Sequence, residues 1–159
     1  MSVESIRYRF RQNFQVPARD AFAWCTDFVP EDKALLSPDV RRTVRKIAPN
    51  ALILKDVRKT KRGRVEISRL VRIDPDTLSW TNTHITGPFV HSQFWYQVLP
   101  DGPRRSHLEF RGLRLARYPR RLTSQQLARA AEEERRGDQK LWRVRLAPAL
   151  HADLKASRR

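Results

Sequence analysis

The sequence of 159 residues contains one cysteine, one methionine and only five glycines. A lone Cys25 cannot close an internal disulfide, so the fold must rest on its core, and a reducing, cytoplasmic setting is the expectation. The thiol falls on the apolar side of a helical stretch, which suits a small buried hydrophobe better than a nucleophile. Isolated glycines leave no phosphate-cradling loop. No apolar run approaches the ~20 residues that a membrane span needs. The opening MSVESIRYRF lacks the apolar segment of a secretory leader, so none is expected. His84, His91, His107 and His151 have no metal-ligand spacing to Cys25 or to carboxylates, so neither a metal nor a cofactor is expected. Acidic residues are scarce too: 17 against 33 basic ones give a net charge of +16. Such a field draws polyanions, which makes nucleic acid or an anionic surface a candidate partner. The arginines are nonetheless spread along the whole chain, as they are when they merely coat solvent faces.

What is present begins with residues 6–28. Ile6, Tyr8, Phe10, Phe14 and Val16 recur at every second position, Gln12 excepted, with Arg7, Arg9, Arg11, Asn13 and Gln15 between them. Period two marks a strand with one buried and one wet face. Pro17 ends it, having no N–H for a ladder, and its fixed φ suits the start of a helix. Ala21, Trp24, Cys25 and Phe28 then fall at helical spacing. Pro30–Leu36 reads as a second short helix, closed by Ser37-Pro38.

Six strands are predicted next: 41–47, 51–60, 64–73, 78–86, 90–99 and 106–115. Short turns at Pro49-Asn50, Lys61-Arg62-Gly63, Asp74-Pro75-Asp76, Gly87-Pro88-Phe89 and Pro100-Asp101-Gly102-Pro103 separate them, so an antiparallel meander is the economical topology. From Leu122 to Lys155 the pattern turns helical. Thr123 is the expected N-cap, and Glu132 and Arg136 stand four apart, as a helix-surface pair does. Trp142, Leu146, Leu150 and Leu154 form an apolar stripe, while Gly137 and Pro148 mark where a bend is expected. Glu132-Glu133-Glu134 reads as a solvated helix face.

Strand register decides what faces inward. A three-residue loop after Leu99 pairs Leu99 with Pro103, Phe94 with Leu108 and Ser92 with Phe110. Phe94, Tyr96, Val98, Leu108 and Phe110 then share the buried face, and His91, Gln93, Trp95, His107, Glu109 and Arg111 share the other. With Gly87-Pro88-Phe89 as the preceding loop, Trp80 pairs with Tyr96, Asn82 with Phe94 and His84 with Ser92. Three polar side chains, Asn82, His84 and Ser92, thus fall at one end of an apolar inner face. Arg69 also stands where its strand calls for an apolar residue. Buried polar groups are costly without partners, so their grouping near aromatic rings points to a cavity. A strand bulge would instead turn Arg69 to solvent, and a backbone carbonyl would satisfy His84. On the outer face, Trp95 offers a stacking surface for a base or a contact for a second copy of the chain, making a homodimer a candidate.

The order strand, two short helices, six meander strands and long terminal helix resembles the helix-grip fold of the START-like, or SRPBCC, superfamily of polyketide cyclase/dehydrases and lipid-transfer proteins. The resemblance spans residues 5–155 of what reads as one domain, 1–159. It is carried by Phe14-Gln15-Val16-Pro17-Ala18-Arg19-Asp20-Ala21-Phe22-Ala23-Trp24 and by Asp27. It implies an α+β fold in which a curved seven-stranded antiparallel sheet and the C-terminal helix enclose a mostly apolar pocket. On that reading the protein binds a hydrophobic or amphipathic small molecule, lipid- or polyketide-like. Trp80, Phe94, Tyr96, Phe110, Trp142 and Leu146 would form the apolar wall. His84, Asn82, Ser92 and Arg69 would fix the polar end, Arg69 by meeting an anionic head group. The alternatives are a cyclase or dehydratase using His84 as general acid/base, and polyanion binding through the arginines.

Overall fold

The computed structural model describes residues 1–32 and 37–158. Strand β1 (Ser2–Phe14) alternates between buried and exposed residues, with Ile6, Tyr8, Phe10 and Phe14 inward. Pro17 stands at the N-cap of helix α1 (Ala18–Cys25), whose Ala18, Ala21 and Phe22 are buried. A 3-10 turn, Pro30–Asp32, starts the segment expected to form a second helix; Lys33–Leu36 lie outside the described residues.

Six strands follow: β2 (Val40–Ala48), β3 (Ala51–Thr60), β4 (Gly63–Asp74), β5 (Ser79–His84), β6 (Gln93–Pro100) and β7 (Ser106–Tyr118). They form one antiparallel sheet in the order β1-β7-β6-β5-β4-β3-β2. The meander therefore runs β2 to β7, and β1 closes its far side by pairing from Ser2 opposite Tyr118 to Phe14 opposite Ser106. The expected pairs Trp80–Tyr96 and Asn82–Phe94 are present. His84 N–H donates to the Ser92 carbonyl at 2.9 Å, and His91, at φ 70°, is the extra residue of a bulge there.

The β6–β7 hairpin differs from expectation. Phe94 faces Gly112, Tyr96 faces Phe110 and Val98 faces Leu108, around a loop running from Asp101 to Arg105 rather than three residues. Asp101 N–H closes that loop onto the Arg105 carbonyl at 2.9 Å. The pairing is displaced by an even number of residues, so every side chain keeps its expected face. Gly112 is needed where it stands, since a Cβ would come within 2.9 Å of the Tyr8 ring.

The terminal helical run comprises α2 (Ser124–Leu141), a π-turn (Trp142–Leu146) and α3 (Ala147–Ser157). Thr123 and Gln126 form a reciprocal capping box. Gly137 lies within uninterrupted helix. The irregularity lies just before Pro148, which has no N–H to give to the preceding turn and whose ring crowds the carbonyl four residues back. Widening that turn to an Ala147 N–H to Trp142 carbonyl bond relieves the clash. Trp142, Ala147 and Leu150 are buried against the sheet core.

Side-chain ties hold this run in place. The Tyr8 hydroxyl donates to Asp138 Oδ2 at 2.5 Å, and Trp24 Nε1 donates to Asp153 Oδ2 at 2.8 Å. Gln15 N–H donates to His151 Nε2 at 3.0 Å, and Arg114 Nη2 meets Glu134 Oε2 at 3.1 Å. Glu134 therefore turns toward the sheet, while Glu132 pairs along the helix with Arg135 and Arg136. No helix among the described residues is long and apolar enough to cross a membrane.

Candidate functional site

A cavity of about 290 Å³ lies between the inner face of the sheet and the terminal helical run. Its wall is aromatic and aliphatic: Trp24, Phe28, Leu54, Trp80, Phe94, Tyr96, Phe110, Leu141, Trp142 and Leu146. Trp80 and Tyr96, cross-strand partners, stack at 4.8 Å with their planes 3° apart, and the edge of Tyr96 meets Phe110 at 5.1 Å. Such pairs hold the wall rigid beyond what area burial alone provides.

Polar groups enter from four strands and the helix: Arg42 on β2, Arg69 on β4, His84 at the end of β5, Arg114 on β7 and Asp138 on α2. Beneath the cavity floor Asp56 accepts a two-pronged pair from Arg42, Nε at 2.7 Å and Nη2 at 2.8 Å, and also contacts Arg69 Nη2. Register explains the meeting: Arg42 is opposite Asp56 on β3, and Arg69 is opposite Leu54 on one side and His84 on the other. Burial, and then the like charge of Arg42, lowers the Arg69 guanidinium to about 10, still fully charged at neutral pH. Arg69 Nε, Arg114 Nε and His84 Nδ1 are buried without a hydrogen-bond partner. Polar atoms left so in a native interior ask for an explanation, and a ligand is one.

His84 sits against Phe94 at 5.4 Å between ring centroids. Burial, and then the charges of Arg69 and Arg114, lower its imidazole to about 4, so the ring is neutral at pH 7. The unfolded chain binds this proton near pH 6.5, whereas the folded chain refuses it down to about pH 4. Stability contributed by the neutral ring is thus intact above pH 6.5, is lost progressively as pH falls toward 4, and then levels off. Because the ring is partly open to solvent, screening reduces the loss to about 1–2 kcal/mol. His84→Gln should flatten that limb of a stability–pH curve. A ring proton signal titrating at or above pH 6.5 would contradict the placement.

Asp138 is raised above the ordinary carboxyl value by burial, with the Tyr8 hydrogen bond and Arg114 opposing the rise. Burial and then the Asp27 charge push the Cys25 thiol up, so it stays protonated. Tyr96 is raised mainly by burial.

Of the residues singled out from the sequence, Arg69, Trp80, His84, Phe94, Tyr96, Phe110, Trp142 and Leu146 come together on this wall. Asn82 and Ser92 do not line it. Ser92 is fully buried and its Oγ accepts from Leu115 N–H at 2.9 Å, bracing the bulge, while Asn82 is buried with Oδ1 unpartnered. Arg42, Arg114 and Asp138 were not singled out. For the two arginines a signal existed: Arg114 continues the inward alternation of Leu108, Phe110 and Gly112, and Arg42 that of Val40 and Val44. Asp138 carried no such signal, because its partner Tyr8 lies 130 residues away.

By sequence, no protein-family model and no curated protein matches the chain. Solved structures match its fold. The ZhuI aromatase/cyclase from Streptomyces sp. R1128 superposes with a TM-score of 0.67 at 11% identity, over 98% of this chain and 97% of that one. A START superfamily protein from Mycobacterium smegmatis gives 0.64 at 15% identity, over 92% and 98%. A norcoclaurine synthase from Thalictrum flavum, bound to a transition-state analogue, gives 0.66 at 10% identity, over 96% and 98%. The chain shares the fold of these structures, an antiparallel sheet closed over a C-terminal helical run.

Proposed function

We propose that this START-like chain binds a small amphipathic molecule whose apolar body packs on Trp80, Tyr96, Phe110 and Trp142 and whose anionic head meets Arg69. The observation that carries this reading is the unpartnered, buried Nε of Arg69 at the polar end of a largely aromatic and aliphatic cavity. A carboxylate, phenolate or phosphate would complete that guanidinium with a charge-assisted hydrogen bond. Neutral His84 adds an acceptor or donor beside it, and the Arg114 guanidinium adds a second cation. The cavity is at the small end of ligand sites, which run from ~300 to ~1,000 Å³, so a compact one- or two-ring ligand suits it better than a long acyl chain. The aromatase/cyclase likeness lends support to a polyketide-like body.

2-Naphthoate, two fused rings with one carboxylate, is a suitable probe. By calorimetry it should bind the wild type more tightly than uncharged naphthalene does, and Arg69→Met should weaken it by about tenfold or more, as expected for a hydrogen bond to a charged group. Arg42 would still neutralise Asp56 in that variant, so the fold should survive. Equal affinity for wild type and variant would remove Arg69 from the site. Native mass spectrometry of freshly purified protein should also show a retained small molecule, which Arg69→Met loses.

A further inference from the structure

We infer that the outer face of the sheet, opposite the cavity, is a binding platform for single-stranded nucleic acid. Following the cross-strand pairs, one row on this face reads Arg9, Arg111, Trp95, Thr81, Arg72, from β1 through β7, β6 and β5 to β4. The next row reads Arg7, Leu113, Gln93, Thr83, Leu70. At ~4.8 Å between neighbouring strands, the first row spans ~19 Å, the reach of a few nucleotides. Both rows line one shallow groove.

Three features distinguish this groove from an ordinary solvated sheet face. First, Arg7, Arg9, Arg72 and Arg111 are exposed and, among the described residues, none forms an ion pair with a carboxylate. The acids of this face stand elsewhere: Glu109 and Asp74 lie in the row beyond, with Arg11, and Glu66 pairs with Lys55 at 3.0 Å. Neither of the two rows therefore contains an acidic residue. Second, Trp95 is half-buried among these cations with Arg111 over its ring at 5.0 Å from the centroid. An indole face with a guanidinium on it is a ready stacking site for a base, which can enter the stack beside either plane. Third, Thr81, Thr83 and Gln93 supply neutral donors and acceptors between the cations, suited to base edges rather than to phosphates.

The shape selects among polyanions. The apolar groups, Trp95, Leu70 and Leu113, are all half-buried between arginines instead of protruding. A membrane surface, flat on this scale, would meet the arginines and leave the indole unused. A splayed base can reach it. The platform lies on the opposite side of the sheet from Arg69 and His84, so it does not depend on what the cavity binds.

Fluorescence anisotropy with a labelled oligouridylate of about twelve nucleotides tests this. Wild type should bind with a slope of log K against log salt near −3, about 0.7 for each of four phosphate contacts. Arg9→Glu with Arg72→Glu should cost about tenfold or more and reduce the slope by about 1.4, two contacts at about 0.7 each. Trp95→Leu should cost about fivefold or more while Trp95→Phe, which keeps a stacking face, stays near wild type. As a charge-matched control, Arg104→Glu with Arg105→Glu, exposed in the β6–β7 loop, should change binding by less than about twofold. Absence of oligonucleotide binding, an equal loss in the control, or a Trp95→Leu variant that binds like wild type would each overturn the platform. So would cosedimentation with phosphatidylglycerol vesicles in place of oligonucleotide binding, which would assign the face to membranes.

Discussion

Asp56→Ala is expected to remove about 3–5 kcal/mol of folding stability, the cost of leaving a buried charge without its counter-charge. In Tm this amounts to a fall of roughly 10 °C for a chain of this size. The expectation follows from where the group sits. Asp56 carries only 11% of its side-chain exposure, Arg42 4% and Arg69 18%, so water cannot replace the lost carboxylate. Removing the acid from β3 leaves the guanidiniums of Arg42 on β2 and Arg69 on β4, the two strands that flank it, with no carboxylate between them in a low-dielectric floor. The companion variant separates charge from packing. Asp56→Ala combined with Arg42→Met and Arg69→Met removes the charges together and should recover most of the loss, because a well-packed apolar replacement of an ion cluster is often neutral. Urea unfolding measures both. A single-variant loss below about 1 kcal/mol, the range of surface pairs, would mean the cluster is solvated.

Phe110→Ala should cost about 3–5 kcal/mol, through lost burial and an unfilled hole. Phe110 is 2% exposed and touches four rings: Phe10 stacked at 4.6 Å, Tyr96 edge-on at 5.1 Å, Tyr8 at 5.3 Å and Phe94 at 5.9 Å. It also lines the cavity, which ties stability to binding. Truncating it extends the hollow toward β1, so the variant should gain more thermal stability from naphthalene than wild type does, by filling the added space. Phe110→Leu should cost less, since the branched side chain still occupies the centre of the cluster. Calorimetric unfolding with and without naphthalene checks both statements. A Phe110→Ala variant as stable as wild type would show that the rings do not form one core.

The two substitutions probe the two halves of the site, and these differ in how readable they were. The aromatic half followed from alternation. Phe94, Tyr96, Phe110 and Trp80 share a face because strand side chains repeat every two residues. Even the wrong loop length after Leu99 left them there, because the displacement was even. The polar half was only partly visible. Arg69 and His84 broke the alternation and could be noticed; Arg42 and Arg114 also stand at inward positions of their strands, a signal easily lost among the many arginines of a chain of net charge +16. Ser92 and Asn82 show the opposite limit. Their face was read correctly, but a bulge at His91 places the Ser92 hydroxyl on a backbone N–H, outside the cavity.

By itself the sequence determined the succession of seven strands, the inward faces of β1 and of β5 to β7, and the capped, apolar-striped terminal helix, because these depend on neighbours within a few residues. Only the tertiary structure decided that Asp56 serves two arginines, that Tyr8 and Glu134 tie the helix to the sheet, and that Trp95 lies in a row of cations without ion-pair partners among the described residues. Each of those depends on which strand lies beside which, and pairing across 14 to 130 residues leaves no trace in local periodicity.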